Sequence, residues 1–157
     1  MVDGMTVNPI PDGYPRLCAY LVIEGANDAI DFYTKVFGAE ERMRMPGPDG
    51  RLGHAELQLG DSVLMLADAF PDMDIRDPRA VGGTPVSLTL YVEDVDTVFA
   101  AAVQAGAKEL QAVETKFYGD RAGSMEDPWG HRWTVMTHVE DVAPDEMAKR
   151  AATEAGG

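Results

Sequence analysis

The sequence predicts an α+β fold of two tandem modules, each with the element order β-α-β-β-β. Landmarks of the first half recur in the second at a nearly constant distance. Leu17 and Val86, which begin apolar strand-like runs, are 69 residues apart, and the helix-ending Gly38 and Gly106 are 68 apart. A spacing this regular over a whole module is typical of a duplicated unit. Two such units predict a curved mixed sheet with helices on its convex side and a cavity on its concave side.

Clusters of proline and glycine mark the predicted boundaries. Four prolines and glycines between Pro9 and Pro15 indicate an extended arm, and a second cluster between Pro71 and Pro85 indicates a linker. We therefore divide the chain into an N-terminal arm at 1–15, a first module at 16–68, a linker at 69–85, a second module at 86–140, and a C-terminal tail with a short helix at 141–157.

In the first module, local signals predict each element. Apolar alternation and helical spacing place strands at 17–24, 40–46, 53–59 and 62–68 and a helix that ends at Gly38. The segment from Pro46 to Gly50 is a strong turn signal, and Gly60-Asp61 predicts a two-residue hairpin. Asn27 or Asp28 is expected to cap the helix.

The second module repeats this pattern. Asp94 is expected to cap its helix, and further strands are predicted near 108–113, 121–126 and 131–138. Strand parity places Trp133 in the core and Thr134 on the opposite face. In the tail, a proline followed by acidic and then basic residues predicts a helix from Pro144 to about Ala155.

Composition excludes several classes of function. The chain has 157 residues, a net charge of −14 and a single cysteine, Cys18. The negative charge opposes binding to nucleic acid, and one cysteine cannot form an internal disulfide. There is no basic-then-apolar leader and no apolar stretch of membrane-spanning length. We therefore expect a cytoplasmic protein without nucleic-acid or membrane partners.

Several segments resemble the vicinal oxygen chelate superfamily, which includes glyoxalase I, extradiol dioxygenases, and the bleomycin and fosfomycin resistance proteins. The similar segments are AIDFY at 29–33 with FGAE at 37–40, LYVEDVD at 90–96 and DPWGHRW at 127–133. The segments HAE at 54–56, MLAD at 65–68 and FYGDR at 117–121 point to the PhnB-like branch. The resemblance covers about residues 16–140. It implies the glyoxalase/bleomycin resistance fold and a homodimer.

The resemblance also implies where a metal ion would bind. Metal-dependent members place a His or Glu on the first strand and an acidic ligand on the last strand of each module. Those positions fall here at Cys18 or Ala19, Ser87, Leu64 or Met65, and Thr134. None is a histidine or a carboxylate, the ligands that divalent ions prefer. We therefore predict no metal and no other cofactor, unless a divalent metal uses non-standard ligands.

His54 and Glu56 are the candidate catalytic residues. They lie two apart on a strand, so both side chains point to one face, which the hairpin register predicts to be the cavity face. Glu56 could then abstract a proton next to a carbonyl while His54 polarises the carbonyl or shuttles the proton. The alternative is a structural pair, hydrogen-bonded within the sheet or at a dimer contact.

A second set of residues is predicted to bind a ligand. They would line a cavity of mixed apolar and hydroxyl character, as small-molecule sites often do. The set comprises Cys18, Tyr20, Ser87, Thr89, Tyr91, Tyr118, Arg121 and Thr134. Arg121 suits a carboxylate or phosphate group because its fork donates two parallel hydrogen bonds. Its alternative role is to pair with Asp120 or Glu126.

Two hypotheses for function follow from these residues. The first is a metal-free protein that binds a small molecule in a cavity formed by the paired modules, by analogy with the drug-sequestering resistance proteins. The second is a glyoxalase- or lyase-like enzyme that acts next to a carbonyl with His54 and Glu56 as its acid/base pair. The cavity could lie within one chain or across a dimer.

Overall fold

The computed structural model describes residues 6–155, and the chain divides into two compact units, one ending at Ile75 and the other beginning at Arg76. In the first unit the elements are β1 (Ala19–Ile23), α1 (Ala26–Phe37), β2 (Glu40–Pro46), β3 (Leu52–Leu59) and β4 (Ser62–Asp68). In the second they are α2 (Pro78–Val81), β5 (Ser87–Tyr91), α3 (Val95–Gln104), β6 (Lys108–Thr115), β7 (Asp120–Glu126), β8 (Arg132–His138) and α4 (Pro144–Ala155). Both predicted β-α-β-β-β modules are therefore present.

The first unit contains a four-stranded sheet in the order β1-β4-β3-β2. β1 and β4 are parallel and the other pairs are antiparallel. Leu59 pairs with Ser62 across a two-residue turn, as the sequence predicts. α1 packs on the face that carries the fully buried Leu57 and Leu66. The residues that alternate with these along the strands, such as Glu56 and Met65, therefore lie on the face opposite α1.

A carboxylate from β4 caps α1, so the prediction that Asn27 or Asp28 does so is wrong. Asp68 Oδ1 accepts hydrogen bonds from the backbone N–H groups of Gly25 at 3.0 Å and Ala26 at 2.9 Å. Its Oδ2 accepts from Leu52 N at 2.7 Å. The side chain of Asn27 instead bonds to the turn after β2 and to β2 itself. One buried residue thus joins the helix to two strands.

The second unit repeats the topology with the strand order β5-β8-β7-β6. α3 packs against this sheet, and Asp94 caps it by accepting from Thr97 N at 3.3 Å, as predicted. Trp133 is buried, also as predicted. α4 spans the predicted tail helix and is held by Arg150, which bonds to Glu140 at 2.8 Å.

The remaining segments connect these elements. The predicted linker contains a 3₁₀ turn at Pro71–Met73 and all of α2, and the division between the two units falls inside it. Residues 6–18 precede β1 without regular secondary structure. The ends of the predicted arm and tail, at 1–5 and 156–157, lie outside the described residues. No helix in the described range has both the length and the apolar character needed to cross a membrane.

Candidate functional site

In the first unit, the strand register brings Tyr20, His54 and Glu56 together on the face opposite α1. Glu56 of β3 is the cross-strand partner of Met65 in β4, which in turn is the partner of Tyr20 in β1. His54 lies two residues before Glu56 and therefore projects to the same side. Three of the predicted site residues thus form one cluster.

Glu56 and Tyr20 hold the imidazole of His54 from both sides. Nε2 lies 2.8 Å from Glu56 Oε2, and Nδ1 lies 3.0 Å from the hydroxyl oxygen of Tyr20. An ionised carboxylate can only accept hydrogen bonds, so Nε2 donates to it. In the neutral ring Nδ1 then accepts from the Tyr20 hydroxyl. The two aromatic rings lie 5.5 Å apart, which further fixes the orientation of the imidazole.

The N-terminal arm covers Glu56. The Tyr14 hydroxyl donates to Glu56 Oε1 at 2.6 Å, and the Arg42 guanidinium lies 4.4 Å above the Tyr14 ring. Arg42 also donates to the carbonyl of Gly13 at 2.9 Å and approaches Glu56 to 3.9 Å. As a result the side chain of Glu56 is buried although it is charged. Both of its oxygens have hydrogen-bonding partners.

These contacts shift the pKa values of Glu56 and Tyr20. The hydrogen bond from Tyr14 holds the pKa of Glu56 below its usual value, with help from His54 and Arg42 and against the opposing effect of burial. Burial and the nearby charge of Glu56 raise the pKa of Tyr20. At neutral pH Glu56 is therefore a carboxylate and Tyr20 an intact phenol.

Replacing Tyr14 with phenylalanine is expected to raise the pKa of Glu56, because the substitution removes the hydrogen bond that contributes most to lowering it. A ¹³C NMR titration of the glutamate carboxyl resonances would measure the change. Tyr118→Phe, in the second unit, is the matched control and should leave the titration of Glu56 unaltered. An unchanged Glu56 titration in Tyr14→Phe would contradict the arrangement described.

An open cleft of about 640 Å³ lies beside His54 in the first unit. Its walls are mostly apolar, with few polar groups. They are formed by Met45, Pro46, Gly47, Pro48, Asp49, Arg51, Gly53, His54 and Phe70. The Arg51 guanidinium lies 4.7 Å from the centre of the Phe70 ring and donates to the Ala69 carbonyl, which holds this wall in place. The volume lies within the range of small-molecule sites.

The positions at which the resemblance implies metal ligands do not suit a divalent ion. The register places Met65 on the face with Tyr20, while Leu64 is buried on the α1 side. The set is thus Cys18, Met65, Ser87 and Thr134, which lacks both carboxylate and imidazole. Nowhere in 6–155 do three or more His, Cys, Asp or Glu side chains group closely enough to hold a metal ion.

In the second unit, hydroxyl groups gather on the face opposite α3. Thr134 of β8 is the cross-strand partner of both Thr89 and Ser124. Its hydroxyl oxygen lies 3.4 Å from that of Ser87 and 3.1 Å from that of Ser124. Three predicted residues therefore share this face with Ser124, which sequence reasoning missed. The alternation along β7 was the signal that could have identified it.

Farther along the same face, Tyr91 belongs to a second carboxylate cluster. Its hydroxyl donates to the buried Asp120 at 2.8 Å. His138 lies between two carboxylates, with Nδ1 2.7 Å from Asp120 and Nε2 2.6 Å from Asp141. These contacts, with Asp141 first, raise the pKa of His138. Nothing in the local sequence pattern singled out this histidine.

Because its pKa is raised on folding, His138 is expected to stabilise the fold most below its ordinary pKa of about 6.5 and progressively less as the pH rises through its folded-state pKa. Melting temperatures of the wild type and His138→Gln from about pH 5 to about pH 9 would test this. The advantage of the wild type should shrink as the pH rises. A constant or growing advantage would argue against a charged His138.

Arg121 lies apart from the other predicted ligand-binding residues. It projects to the α3 side of the sheet, where its guanidinium forms a two-point ion pair with Asp96 at 2.8 and 2.9 Å. The alternative of a pairing with Asp120 or Glu126 is therefore wrong, because both have the strand parity opposite to Arg121 while α3 presents Asp96 to it. Tyr118 lies in the turn between β6 and β7, against the ring of Phe117.

Comparison with known proteins identifies similar chains. The sequence model described as Glyoxalase/Bleomycin resistance protein/Dioxygenase superfamily matches residues 18–135. The protein Rv0887c of Mycobacterium tuberculosis is 42% identical over 158 residues, covering 99% of this chain and 91% of its own length. The PhnB protein of Bacillus cereus is similar in structure, with a TM-score of 0.61, 22% identity and coverage of 78% of this chain and 99% of its own. TnmS3, an antibiotic binding protein from Streptomyces sp. CB03234, has a TM-score of 0.57, 22% identity and coverage of 77% and 93%.

Proposed function

This chain belongs to the glyoxalase/bleomycin resistance protein/dioxygenase superfamily, and on that premise we propose that it binds a small, largely apolar organic molecule in the cleft beside His54. We further propose that it sequesters this molecule without turnover and without a metal ion. The observation that carries the proposal is the cleft itself: about 640 Å³ of mostly apolar space with a fixed imidazole in its wall.

The polar groups around the cleft favour binding over chemistry. Glu56 is ionised, and its oxygens are engaged by Tyr14 and His54, so it has little capacity to act as a free base. Both ring nitrogens of His54 are also engaged, by Glu56 and Tyr20, so the imidazole presents a fixed ring edge to a ligand and not a free base. Mostly apolar walls with a few polar side chains, here Asp49, Arg51 and His54, give affinity and specificity without requiring a reaction. The similar fold of TnmS3, an antibiotic binding protein, supports this class of function.

A ligand screen with matched variants tests the proposal. A panel of apolar antibiotics would be screened by thermal shift, and each hit would then be titrated calorimetrically. Met45→Ala and Phe70→Ala remove cleft walls and are expected to weaken binding about tenfold, the loss of roughly one buried side-chain contact. Met73→Ala removes an exposed methionine outside the lining and serves as the control. Equal losses in all three variants would refute the cleft as the site.

The absence of a metal ion is proposed from the donor set and has a test of its own. Purified, untagged protein prepared without chelator would be analysed by mass spectrometry for divalent metals. We expect substoichiometric metal in a fully folded sample. Close to one divalent ion per chain would contradict the proposal and point to ligands other than Cys18, Met65, Ser87 and Thr134.

A glyoxalase- or lyase-like enzyme is the second candidate, favoured by the chain of contacts from Glu56 through His54 to Tyr20. Here a substrate would displace the Tyr20 hydroxyl, the Nδ1 of His54 would take the proton next to the carbonyl, and Glu56 would hold the imidazole at Nε2. A carbonyl compound found by the screen would be incubated in D₂O and followed by NMR. Deuterium uptake that His54→Gln abolishes would favour the enzyme. Binding without uptake would favour sequestration.

The remaining predictions concern other residues, assembly and location. Cys18, Thr89, Tyr91 and Tyr118 stay proposed ligand-binding residues, whereas the ion pair of Arg121 with Asp96 makes that residue the weakest member of the set. A homodimer stays our expectation and would be measured by light scattering on the purified protein. A cytoplasmic location also stays an expectation, in keeping with a single unpaired cysteine.

A further inference from the structure

We propose that a pocket of the second unit, which we term the hydroxyl pocket, binds the carboxylate of a small organic acid. The pocket has a volume of about 280 Å³. It is lined by Pro85, Ser87, Leu110, Gln111, Ser124, Arg132 and Trp133. It consists of residues other than those of the cleft beside His54, so either proposal can fail without the other.

The hydroxyl groups of the pocket can supply a donor to a ligand. The oxygen of Thr134 lies between those of Ser87 and Ser124, at 3.4 and 3.1 Å. Three hydroxyls carry three protons, and the two contacts between them use two. These contacts leave one O–H unused, and when it belongs to Ser87 or Ser124, which line the pocket, it can donate to a ligand. The amide of Gln111 adds further donors at the rim.

Arg132 gives the pocket its charge. The residue is exposed at the start of β8, where it is the cross-strand partner of Ser87 and Glu126. Within the described part of the chain it has no ion pair, so its guanidinium is available. None of the lining residues carries a carboxylate. Glu126, the cross-strand partner of Arg132, is not part of the lining.

These features favour a carboxylate over other anions. The guanidinium fork matches the two oxygens of a planar carboxylate. The negative charge of the whole chain repels a doubly charged phosphate more strongly than a monoanion. Pro85 and Leu110 add apolar surface that an inorganic ion would leave unused. The pocket therefore fits a carboxylate attached to a small carbon skeleton.

Benzoate is a suitable probe, with benzyl alcohol and inorganic phosphate as comparisons. Each would be titrated into ¹⁵N-labelled full-length protein, and the Gln111 side-chain amide and the backbone amides of Ser87 and Ser124 would be followed by NMR. We expect saturable shifts at these amides with benzoate and much weaker ones with the other two. Equal shifts with benzyl alcohol or phosphate would overturn the assignment to a carboxylate. Absence of saturable benzoate shifts would overturn the site.

Variants separate the roles of charge and hydroxyls. Arg132→Gln is expected to weaken benzoate binding about tenfold or more, because it removes a charge-assisted contact. Ser124→Ala should weaken it less, while Lys149→Gln, which removes a positive charge from α4 outside the lining, should leave it unchanged. Equal weakening by Arg132→Gln and Lys149→Gln would show general charge attraction and refute the pocket. Unperturbed amide spectra would confirm folding.

Discussion

Replacing Asp68 with alanine is expected to lower the free energy of unfolding by about 3–5 kcal/mol, since it leaves buried backbone donors without an acceptor. The carboxylate accepts from Gly25 and Ala26 at the start of α1 and from Leu52 at the start of β3. The side chain of Asp68 is itself buried, so water does not take its place without rearrangement. The substitution therefore removes the hydrogen bonds that connect α1 and β3 to β4. Urea denaturation of the full chain would measure it.

Asp28→Ala is the matched control for this experiment. Asp28 lies in the first turn of the same helix and is exposed, but its side chain forms no capping hydrogen bond. Removing it forfeits only its interaction with the helix dipole, about 0.3–1 kcal/mol. Asp68→Asn, which keeps one acceptor oxygen, should lie between the two alanine variants. A larger loss for Asp28→Ala than for Asp68→Ala would refute the capping arrangement.

Replacing Gly119 with alanine is expected to destabilise the second unit by about 2–4 kcal/mol. The residue has a φ of +99°, which L-residues with a side chain rarely adopt. A methyl group there would overlap the carbonyl of Glu140 and lie 3.1 Å from Val142 Cγ2. The carbonyl of Gly119 accepts from the N–H groups of Val139 and Glu140, so the clash falls where the chain leaves β8 for α4.

Gly82→Ala separates the clash from the backbone strain. Gly82 has a similar φ of +93°, but an added Cβ would meet no atom within 4 Å. Its substitution should cost only the conformational term, about 1–2 kcal/mol. Urea denaturation gives both values, and faster amide exchange along α4 in Gly119→Ala alone would locate the damage. If both variants lose the same free energy of unfolding, the segment at 139–142 moves aside without an energetic penalty, and the predicted clash is refuted.

Periodicity and turn chemistry predicted the elements because they act over a few residues. The two-residue turn at Gly60-Asp61 was enough to set the register of β3 against β4, and with it the side on which His54 and Glu56 lie. The capping of α1 could not be predicted in this way. Asp68 reaches the helix from 42 residues along the chain, and no local pattern reports such a contact.

In the candidate site, too, local patterns predicted which face a residue lies on, but they did not predict contacts between residues distant in the sequence. Alternation placed Ser87 and Thr89 on one face of β5, because that inference needs only strand parity, whereas Thr134 was placed with Ser87 through the family resemblance. Tyr14 was missed as a partner of Glu56 because it lies in an arm without regular structure, where no period predicts direction. For Arg121, the motif around it suggested a ligand clamp, whereas its partner Asp96 is set by the packing of α3.

The contact between Tyr14 and Glu56 has a practical consequence for handling the protein. Proteolytic trimming or a shortened expression clone that removes the first fifteen residues would also remove the phenol that bonds to Glu56. The exposed carboxylate would then be hydrated and its hold on His54 Nε2 weakened. Removing these N-terminal residues would thereby change how firmly the His54 imidazole is held in the wall of the cleft. Ligand assays on trimmed and intact samples would consequently report on two different binding surfaces.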